Sequence, residues 1–278
     1  MADDQFAGSI PEIYDRFMGP MLFEPYAIDT ARRFEGFEGA LLETAAGTGR
    51  VTRHLAQAAP QSPITATDLS EAMLARAAAV VDAPNVTWRQ ADALVLPFED
   101  DSFDAVVCQF GAMFFPDRTA GFAEARRVLK SGGRYVFSVW DELAANDVSE
   151  IAEAAVATLF PDDPPVFFAQ GPFGYHDRFF AQGPFGYHDR ERIRSDVLAA
   201  GFATVEIETV RLPTPAPSAH DAAFALVAGT PLRGLIEARD PTRLDEAVDA
   251  AARALRARFG EGAFTGTGQA VTITAGNA

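Results

Sequence analysis

The feature that most constrains the fold is a glycine-containing turn between a short apolar run and a helical pattern. The run Ala40-Leu41-Leu42-Glu43 is followed by Thr44-Ala45-Ala46-Gly47-Thr48-Gly49, and apolar residues then recur at helical spacing from Val51. Glycines let the backbone approach a ligand closely and adopt positive φ angles without strain. The helix that begins after them favours an anionic group at its N-terminus. The segment is therefore predicted to be a strand, a ligand-binding turn and a helix.

Strands and helices continue to alternate as far as Trp140. Four further apolar segments are predicted to be strands: 64–68, 86–89, 103–108 and 134–140. Helices between them are predicted to begin at Ser70, a suitable N-cap, and at Thr119. Strands that alternate with helices favour a parallel, doubly wound α/β sheet of the Rossmann-like type.

Beyond Trp140 the alternation is lost. Pro20 and Pro25 are expected to break residues 1–40 into short helices, and the prolines from Pro213 onwards are expected to end a strand. Seven strands are expected in the whole chain. The later elements are predicted to be helices at 143–160, 191–200, 219–230 and 243–259 and strands at 205–212 and 270–274.

An acidic residue ends the second predicted strand. Asp68 follows the glycine-containing turn by one helix and one strand, so it should lie beside that turn at the edge of a parallel sheet. A carboxylate there can accept both hydroxyl groups of a ribose, which indicates a nucleoside-containing cofactor. The third glycine of a dinucleotide-binding motif would fall at Thr52, which disfavours a nicotinamide or flavin cofactor. A nicotinamide-dependent oxidoreductase stays an alternative.

Short motifs lie at the ends of the predicted strands, in an order that is typical of one enzyme family. They are Glu43 with Ala45, Gly47 and Gly49 after the first strand, Asp92-Ala93 after the third, Leu96-Pro97-Phe98-Glu99-Asp100-Asp101-Ser102-Phe103-Asp104 before the fourth, and residues 127–133 before the fifth. Over about residues 10–141 the chain resembles class I S-adenosylmethionine-dependent methyltransferases, in the branch that acts on small molecules. Ala45 departs from the family's pattern, which has glycine at that position.

The resemblance implies S-adenosylmethionine as the cofactor. In the matching positions Asp68 holds the ribose, Met73 packs near the adenine, and Asp92 accepts a hydrogen bond from the adenine amino group. Gln109, at the end of the fourth strand, is expected to contact the cofactor or the acceptor. The full cofactor site that we expect consists of Glu43, Ala45, Gly47, Gly49, Asp68, Leu69, Met73, Asp92, Ala93 and Gln109.

The same resemblance implies the arrangement of the sheet, with strand order 3-2-1-4-5-7-6 and strand 7 antiparallel. Residues 1–278 would form a single methyltransferase domain. Its expected parts are N-terminal lid helices at 1–40, a cofactor-binding core at 41–141, a lid insertion at 142–200, and C-terminal strands and helices at 201–278.

The function that the resemblance implies is transfer of a methyl group to a small-molecule acceptor by in-line displacement. Such a reaction depends on positioning of the nucleophile, and it needs a general base only if the nucleophile arrives protonated. Tyr14 is our best candidate for a contact with the acceptor. No spacing of His, Asp and Glu suggests a metal site. A non-catalytic S-adenosylmethionine-binding protein is the second alternative.

The charge of the chain restricts its partners. Acidic residues exceed basic ones by 39 to 23, and the formal net charge of −16 disfavours nucleic acid. No apolar run is long enough to span a membrane. The acidic N-terminus lacks the apolar region of a signal peptide, so we expect a cytoplasmic protein. The sequence leaves open an assembly of identical chains.

A tandem duplication stands apart from these motifs. Residues 167–178, Phe-Phe-Ala-Gln-Gly-Pro-Phe-Gly-Tyr-His-Asp-Arg, recur letter for letter at 179–190. We expect the second copy to hold the original loop position, because Asp189 can cap the helix that follows. The first copy is expected to pack over the acceptor crevice or against a neighbouring chain, since its aromatic residues would otherwise be exposed.

Overall fold

A seven-stranded sheet forms the centre of the molecule, and its carboxyl-terminal edge positions the site. The computed structural model describes residues 14–168 and 183–278. The strand order is β3-β2-β1-β4-β5-β7-β6, which confirms the predicted order. Neighbours among β1 to β5 are parallel, whereas β7 is antiparallel to both β5 and β6, as predicted. The strands are β1 Leu41–Glu43, β2 Ile64–Asp68, β3 Val86–Gln90, β4 Phe103–Gln109, β5 Leu129–Trp140, β6 Thr204–Ala216 and β7 Phe264–Gly276.

Helices cover both faces of this sheet. Ser70 caps α4 by accepting a hydrogen bond from the Met73 N–H, and Asp189 caps α7 by accepting from Glu191 and Arg192, so both predicted caps are confirmed. The helices are α1 Tyr14–Phe23, α2 Glu24–Arg32, α3 Arg50–Ala58, α4 Glu71–Val80, α5 Arg118–Val128, α6 Asp147–Ala157, α7 Arg190–Ala199, α8 Ala219–Ala228, α9 Leu232–Arg239 and α10 Leu244–Phe259.

Prolines interrupt the chain less than the sequence predicts. Helix α1 contains Pro20 and continues through it as a π-helix. Proline cannot donate a backbone hydrogen bond, and the wider π-helical turn accommodates the missing bond without ending the helix. Strand β6 runs on through Pro213 and Pro215 to Ala216. It is an edge strand, and proline is tolerated where the strand has no partner on one side. The predicted breaks at Pro20 and Pro213 are therefore wrong.

Two further boundaries differ from the prediction. Strand β5 begins at Leu129 rather than near residue 134, and Gly132 adopts a φ of +75° within it. Its pairing with β4 shifts register between Phe103 and Ala105, so Gly132 and Gly133 lie in an irregular part of the strand. Helix α9 was not predicted, because it has only eight residues and Gly234 lies within it.

Adjacent residues of β1 separate the two faces of the sheet. Leu41 packs in a cluster with α2 and α3, whereas Leu42 belongs to the larger cluster that includes α5, α6, α8 and α10. Helix α1 packs against α8 and β6, which brings the N-terminal helices over the end of the sheet. Across residues 14–168 and 183–278, we find no helix with the length and apolarity that crossing a membrane requires.

Candidate functional site

A cavity of about 490 Å³ opens at the carboxyl ends of the parallel strands. The last residue of each of these five strands lines it: Glu43, Asp68, Gln90, Gln109 and Trp140. The opposite side is formed by α1, by the start of α6 and by the turn between α8 and α9. This is the place where open α/β sheets bind their ligands.

The glycine-containing turn forms one wall of the cavity. Gly47 has a φ of +56°, and a Cβ added there would meet no atom within 4 Å, so its backbone is open to a ligand. Gly49 has a different role. A Cβ on Gly49 would lie 2.8 Å from Val81 Cγ2 and 3.0 Å from Trp88 Cη2, so this glycine lets α3 start close to the neighbouring layer. Gly49 does not line the cavity.

Ala45 adopts a left-handed conformation where the family pattern has glycine. Its φ is +53°, a conformation that costs a non-glycine residue of order 1–2 kcal/mol. Its methyl group fits because residue 111 is a glycine. A Cβ on Gly111 would lie only 2.4 Å from the Ala45 Cβ. The departure at Ala45 is therefore accommodated by the chain after β4.

Asp68 holds the turn from the end of the adjacent strand. Its Oδ2 accepts a hydrogen bond from the Gly47 N–H at 2.8 Å, and its Oδ1 accepts from the Ser70 N–H at 2.9 Å. Burial raises the pKa of Asp68 despite these bonds. Each carboxylate oxygen keeps a lone pair for a further donor, so the side chain can hold the turn and still accept hydroxyl groups of a ligand.

Glu43 is a buried carboxyl group with an unused oxygen. Its side chain is 2% exposed, and its Oε2 makes no hydrogen bond within the part of the chain that the structure describes. Burial raises the pKa of Glu43 to about 8, and the negative charge of Asp68 contributes in the same direction. A buried acceptor without a donor is costly to the protein, so this oxygen suits a cationic donor from a ligand.

The other expected cofactor residues divide into two groups. Leu69 and Met73 line the cavity together with Glu43, Ala45, Gly47 and Asp68. Asp92 and Ala93 do not line it, and Asp92 Oδ1 instead accepts a hydrogen bond from the Leu94 N–H at 2.9 Å. A role for Asp92 at the adenine stays a prediction.

Gln109 lines the cavity, but its amide group is bonded to the N-terminal helices. Thr30 Oγ1 donates to Gln109 Oε1 at 3.0 Å, and Gln109 Nε2 donates to the carbonyl oxygen of Phe23 at 3.3 Å. The end of β4 is thus tied to α1 and α2. Tyr14 begins α1, but its side chain lies outside the described part of the structure.

A cluster of charged contacts connects α2 to α3 beside the cavity. Glu24 accepts hydrogen bonds from Arg50 at 2.7 Å and from Arg53, and its other oxygen lies 2.8 Å from His54 Nε2. Arg50 also lines the cavity. The N-terminal helices therefore close one side of the site through charged contacts as well as apolar packing.

An aromatic wall forms the other half of the cavity, and most of its residues could not be predicted from the sequence. Phe110 and Trp140 stack with ring centroids 3.9 Å apart and an interplanar angle of 9°. Phe23 and Phe185 extend this wall around Trp140. Phe110 has a φ of +54°, a strained conformation for a bulky residue. Aromatic residues are equally common in cores, so only their contacts in the fold assign them to the cavity.

Both copies of the tandem duplication contribute to this wall. Phe167 and Phe168 from the first copy and Phe185 from the second all line the cavity. The buried carboxylate of Glu153 accepts hydrogen bonds from the backbone N–H groups of Phe167, at 2.7 Å, and Phe168. The Phe185 N–H donates to the Phe168 carbonyl oxygen at 3.2 Å, which joins the two copies. The place of Phe167 and Phe168 at the cavity agrees with the expected place of the first copy, and residues 169–182 lie outside the described part of the chain.

Together, the described residues of the two copies make up nearly one unit. Phe167 and Phe168 supply its first two residues, and residues 183–190 supply its last eight. Deletion of residues 169–180 would leave a single uninterrupted unit with all these contacts. We expect this variant to fold with unchanged cofactor affinity and to be about 1–2 kcal/mol more stable, because fewer residues then separate Phe168 from Gly183 and the entropy cost of bringing them together is smaller.

Thermal unfolding and calorimetry with S-adenosylhomocysteine test this expectation. A matched control replaces residues 169–180 with glycine and serine at constant length, which separates loop length from the repeated sequence. A deletion variant that fails to fold or loses cofactor binding would contradict the view that one unit completes the wall.

Comparisons with known proteins agree with this geometry. Residues 42–137 match the sequence model of a family described as a methyltransferase domain. The chain is 44% identical over 98 residues to the demethylmenaquinone methyltransferase of Deinococcus radiodurans, covering 34% of this chain and 41% of that protein. It is 41% identical over 98 residues to the ubiquinone/menaquinone biosynthesis C-methyltransferase UbiE of Paracoccus denitrificans, covering 34% and 39%. The chain thus spans about two fifths of these curated relatives.

Solved structures share the fold at low sequence identity. Phosphoethanolamine N-methyltransferase 2 of Haemonchus contortus, in complex with S-adenosyl-L-methionine, superposes with a TM-score of 0.59 at 18% identity, over 100% of this chain and 60% of that one. The [4+2]-cyclase SpnF superposes with a TM-score of 0.60 at 17% identity, over 100% and 96%. The sequence matches and the shared fold confirm the resemblance to class I S-adenosylmethionine-dependent methyltransferases.

Proposed function

We propose that this chain, in which residues 42–137 form a class I methyltransferase domain, transfers a methyl group from S-adenosylmethionine to a small, apolar acceptor. The observation that carries the proposal is the division of the cavity into two halves. One half contains Glu43, Asp68 and the open backbone of Gly47, and the other is the aromatic wall around Trp140. A polar, charged cofactor and an apolar acceptor would each meet a matching half.

The polar half fits the cofactor residue by residue. The unused Glu43 oxygen suits the cofactor's ammonium group, and Asp68 suits the hydroxyl groups of its ribose. Leu69 and Met73 offer an apolar surface for the adenine, and Gly47 leaves room for the cofactor's close approach. When bound, S-adenosylmethionine supplies a methyl group activated by a positively charged sulfur.

The apolar half would orient the acceptor and exclude water from it. Among the described residues, the aromatic wall has no ionisable side chain facing the cavity. A nucleophile that arrives without a proton to lose, or already deprotonated, therefore suits this site better than one that needs a general base. Tyr14 remains our candidate for a further contact with the acceptor. The chain would act mainly by aligning the nucleophile with the methyl group.

The other parts of the chain have supporting roles in this proposal. The segments 1–40 and 142–200 act as lids over the core at 41–141, as the contacts of α1, Ser149 and Phe168 with the cavity suggest. The two curated relatives are named for quinone substrates, and a flat ring of that kind is compatible with the aromatic wall. The net charge of −16 disfavours nucleic acid as a partner, and a cytoplasmic location is part of the proposal.

Binding and transfer measurements test the proposal. We expect calorimetry to detect S-adenosylmethionine and S-adenosylhomocysteine but no nicotinamide dinucleotide. Methyl-labelled cofactor should then transfer label to a panel of hydroquinones and naphthols in preference to phosphoethanolamine or amino acids. Cofactor binding without transfer to any acceptor would favour a non-catalytic binding protein. Binding of a nicotinamide dinucleotide alone would favour an oxidoreductase.

A further inference from the structure

We propose that Trp140 and Ser149 recognise an oxygen atom on the acceptor and so select among apolar molecules of similar shape. The inference rests on the proposed function. Trp140 ends β5, Ser149 lies in the first turn of α6, and both line the apolar half of the cavity. Their exposed fractions are only 4% and 2%, so little except the cavity can reach them.

The other polar side chains of this half are already hydrogen-bonded within the protein. Thr230 Oγ1 donates to the Leu226 carbonyl oxygen at 2.6 Å and accepts from the Leu232 N–H at 3.2 Å. The Gln109 amide is bonded to the N-terminal helices. By contrast, neither the Trp140 indole nor the Ser149 hydroxyl has a hydrogen-bond partner among residues 14–168 and 183–278.

The Trp140 donor has a fixed direction. Its ring is stacked on Phe110, and it meets the Tyr26 ring at 5.2 Å and 87°. An indole N–H can only donate, and because no described residue accepts from it, an acceptor atom must come from a ligand or from solvent. Packing of this kind leaves the ring no room to turn its donor towards another part of the protein.

The Ser149 hydroxyl adds a second, adaptable hydrogen-bonding group. It can donate or accept, and its proton rotates to suit the ligand. An oxygen atom on the acceptor can accept from the Trp140 indole and can exchange a hydrogen bond with the Ser149 hydroxyl, whereas an apolar substituent would leave both unpaired. The chemistry therefore points to a carbonyl or phenolic oxygen on an otherwise apolar, flat acceptor. A site built in this way rejects analogues that lack the oxygen.

Two probes of nearly equal shape isolate this recognition. We would measure dissociation constants of 2-naphthol and naphthalene by calorimetry, with the protein saturated with S-adenosylhomocysteine. We expect 2-naphthol to bind about 10-fold more tightly, although naphthalene is the more hydrophobic of the two. Trp140→Phe keeps the stacked ring and removes the donor, and Ser149→Ala removes only the hydroxyl. Each should reduce the preference about 3- to 10-fold.

Ser138→Ala is the matched control. Ser138 is also a buried serine, but it does not line the cavity, so the preference should stay at its original value. The affinity for naphthalene should be similar in all four proteins, which shows that the apolar wall is intact. Equal affinities of the native protein for both probes, absence of binding by both, or an unchanged preference in both site variants would overturn the proposal. Failure of the proposed function would appear separately, as absence of S-adenosylhomocysteine binding.

Discussion

Replacing Glu43 with glutamine is expected to stabilise the free protein and to weaken cofactor binding. The carboxyl group is buried, and its pKa is raised to about 8 by burial and by the charge of Asp68. An unfolded glutamate ionises near its ordinary pKa of about 4.3, so folding at neutral pH forces this group to take up a proton. Glutamine has nearly the same shape and no such cost. At pH 7 we expect a gain of about 3 kcal/mol, or roughly 5–10 °C in Tm.

The sign of the pH dependence follows from the raised pKa. Between pH 4.5 and 8 the folded protein binds more protons at Glu43 than the unfolded chain does, so the contribution of Glu43 to stability falls as the pH rises. Below this range both states are protonated and the two proteins should be equally stable. The difference in Tm between Glu43→Gln and the native protein should therefore grow from about pH 5 and level off near pH 8.

The same group should couple cofactor affinity to pH. Pairing with an ammonium group requires the ionised carboxylate, so the native protein must release about one proton on binding below pH 8. Between pH 5.5 and 7.5 its affinity should rise up to about 10-fold per pH unit, whereas the affinity of Glu43→Gln should be flat and about 10- to 150-fold weaker at pH 8. Calorimetry in buffers of different ionisation enthalpy measures the proton release directly.

Glu124→Gln is a matched control with the opposite expected sign. A hydrogen bond from Arg127 lowers the pKa of Glu124, so its ionised form is favoured in the folded state. The same substitution there should reduce stability slightly at pH 7 and leave cofactor affinity unchanged, because Glu124 does not line the cavity. If Glu43→Gln also loses stability and keeps its cofactor affinity, Glu43 is not a destabilising buried acid that binds the cofactor.

The sheet could be predicted because local patterns determine it. Strands β1, β2 and β4 are each a short, largely buried run followed by a turn and a helix, and Ser70 provides a helix cap where the spacing requires one. Polar residues at the carboxyl ends of parallel strands converge on one edge, which is how Glu43, Asp68 and Gln109 could be assigned to a common site. The antiparallel order of β5, β7 and β6 depends on long-range pairing, and it followed only from the family resemblance.

The aromatic half of the site could not be predicted, because its residues are far apart in the sequence and have no distinctive pattern. Phe110 and Phe185 resemble core residues until their contacts with Trp140 are known. The contact of Glu153 with this wall could not be predicted either. Its carboxylate accepts hydrogen bonds from the backbone N–H groups of Phe167 and Phe168, which no sequence pattern indicates. Strand β6 was predicted too short for a related reason, because the tolerance of Pro213 depends on the strand's place at the edge of the sheet.

Replacing Asp68 with alanine is expected to weaken cofactor binding by roughly 100-fold, with a much smaller effect on stability. One hydrogen bond to a charged acceptor contributes about 1.5–3 kcal/mol, and Asp68 would accept such bonds from the ribose. The variant also loses the bonds that hold Gly47 and Ser70. The loss of those bonds destabilises the turn, but removing a desolvated carboxylate offsets part of that cost, as its raised pKa indicates.

A comparison of two ligands separates recognition of the ribose from a change in the turn. S-adenosylhomocysteine and its 2′-deoxy analogue differ by one hydroxyl group. The native protein should bind the deoxy analogue about 10-fold more weakly, and Asp68→Ala should bind both with nearly equal affinity because the hydroxyl group then has no charged partner. Asp68→Asn keeps one accepting oxygen for Gly47 or Ser70 and should retain the fold while losing most of the preference. If the preference for the hydroxyl group survives in Asp68→Ala, the carboxylate only holds the turn, and the ribose must be bound elsewhere.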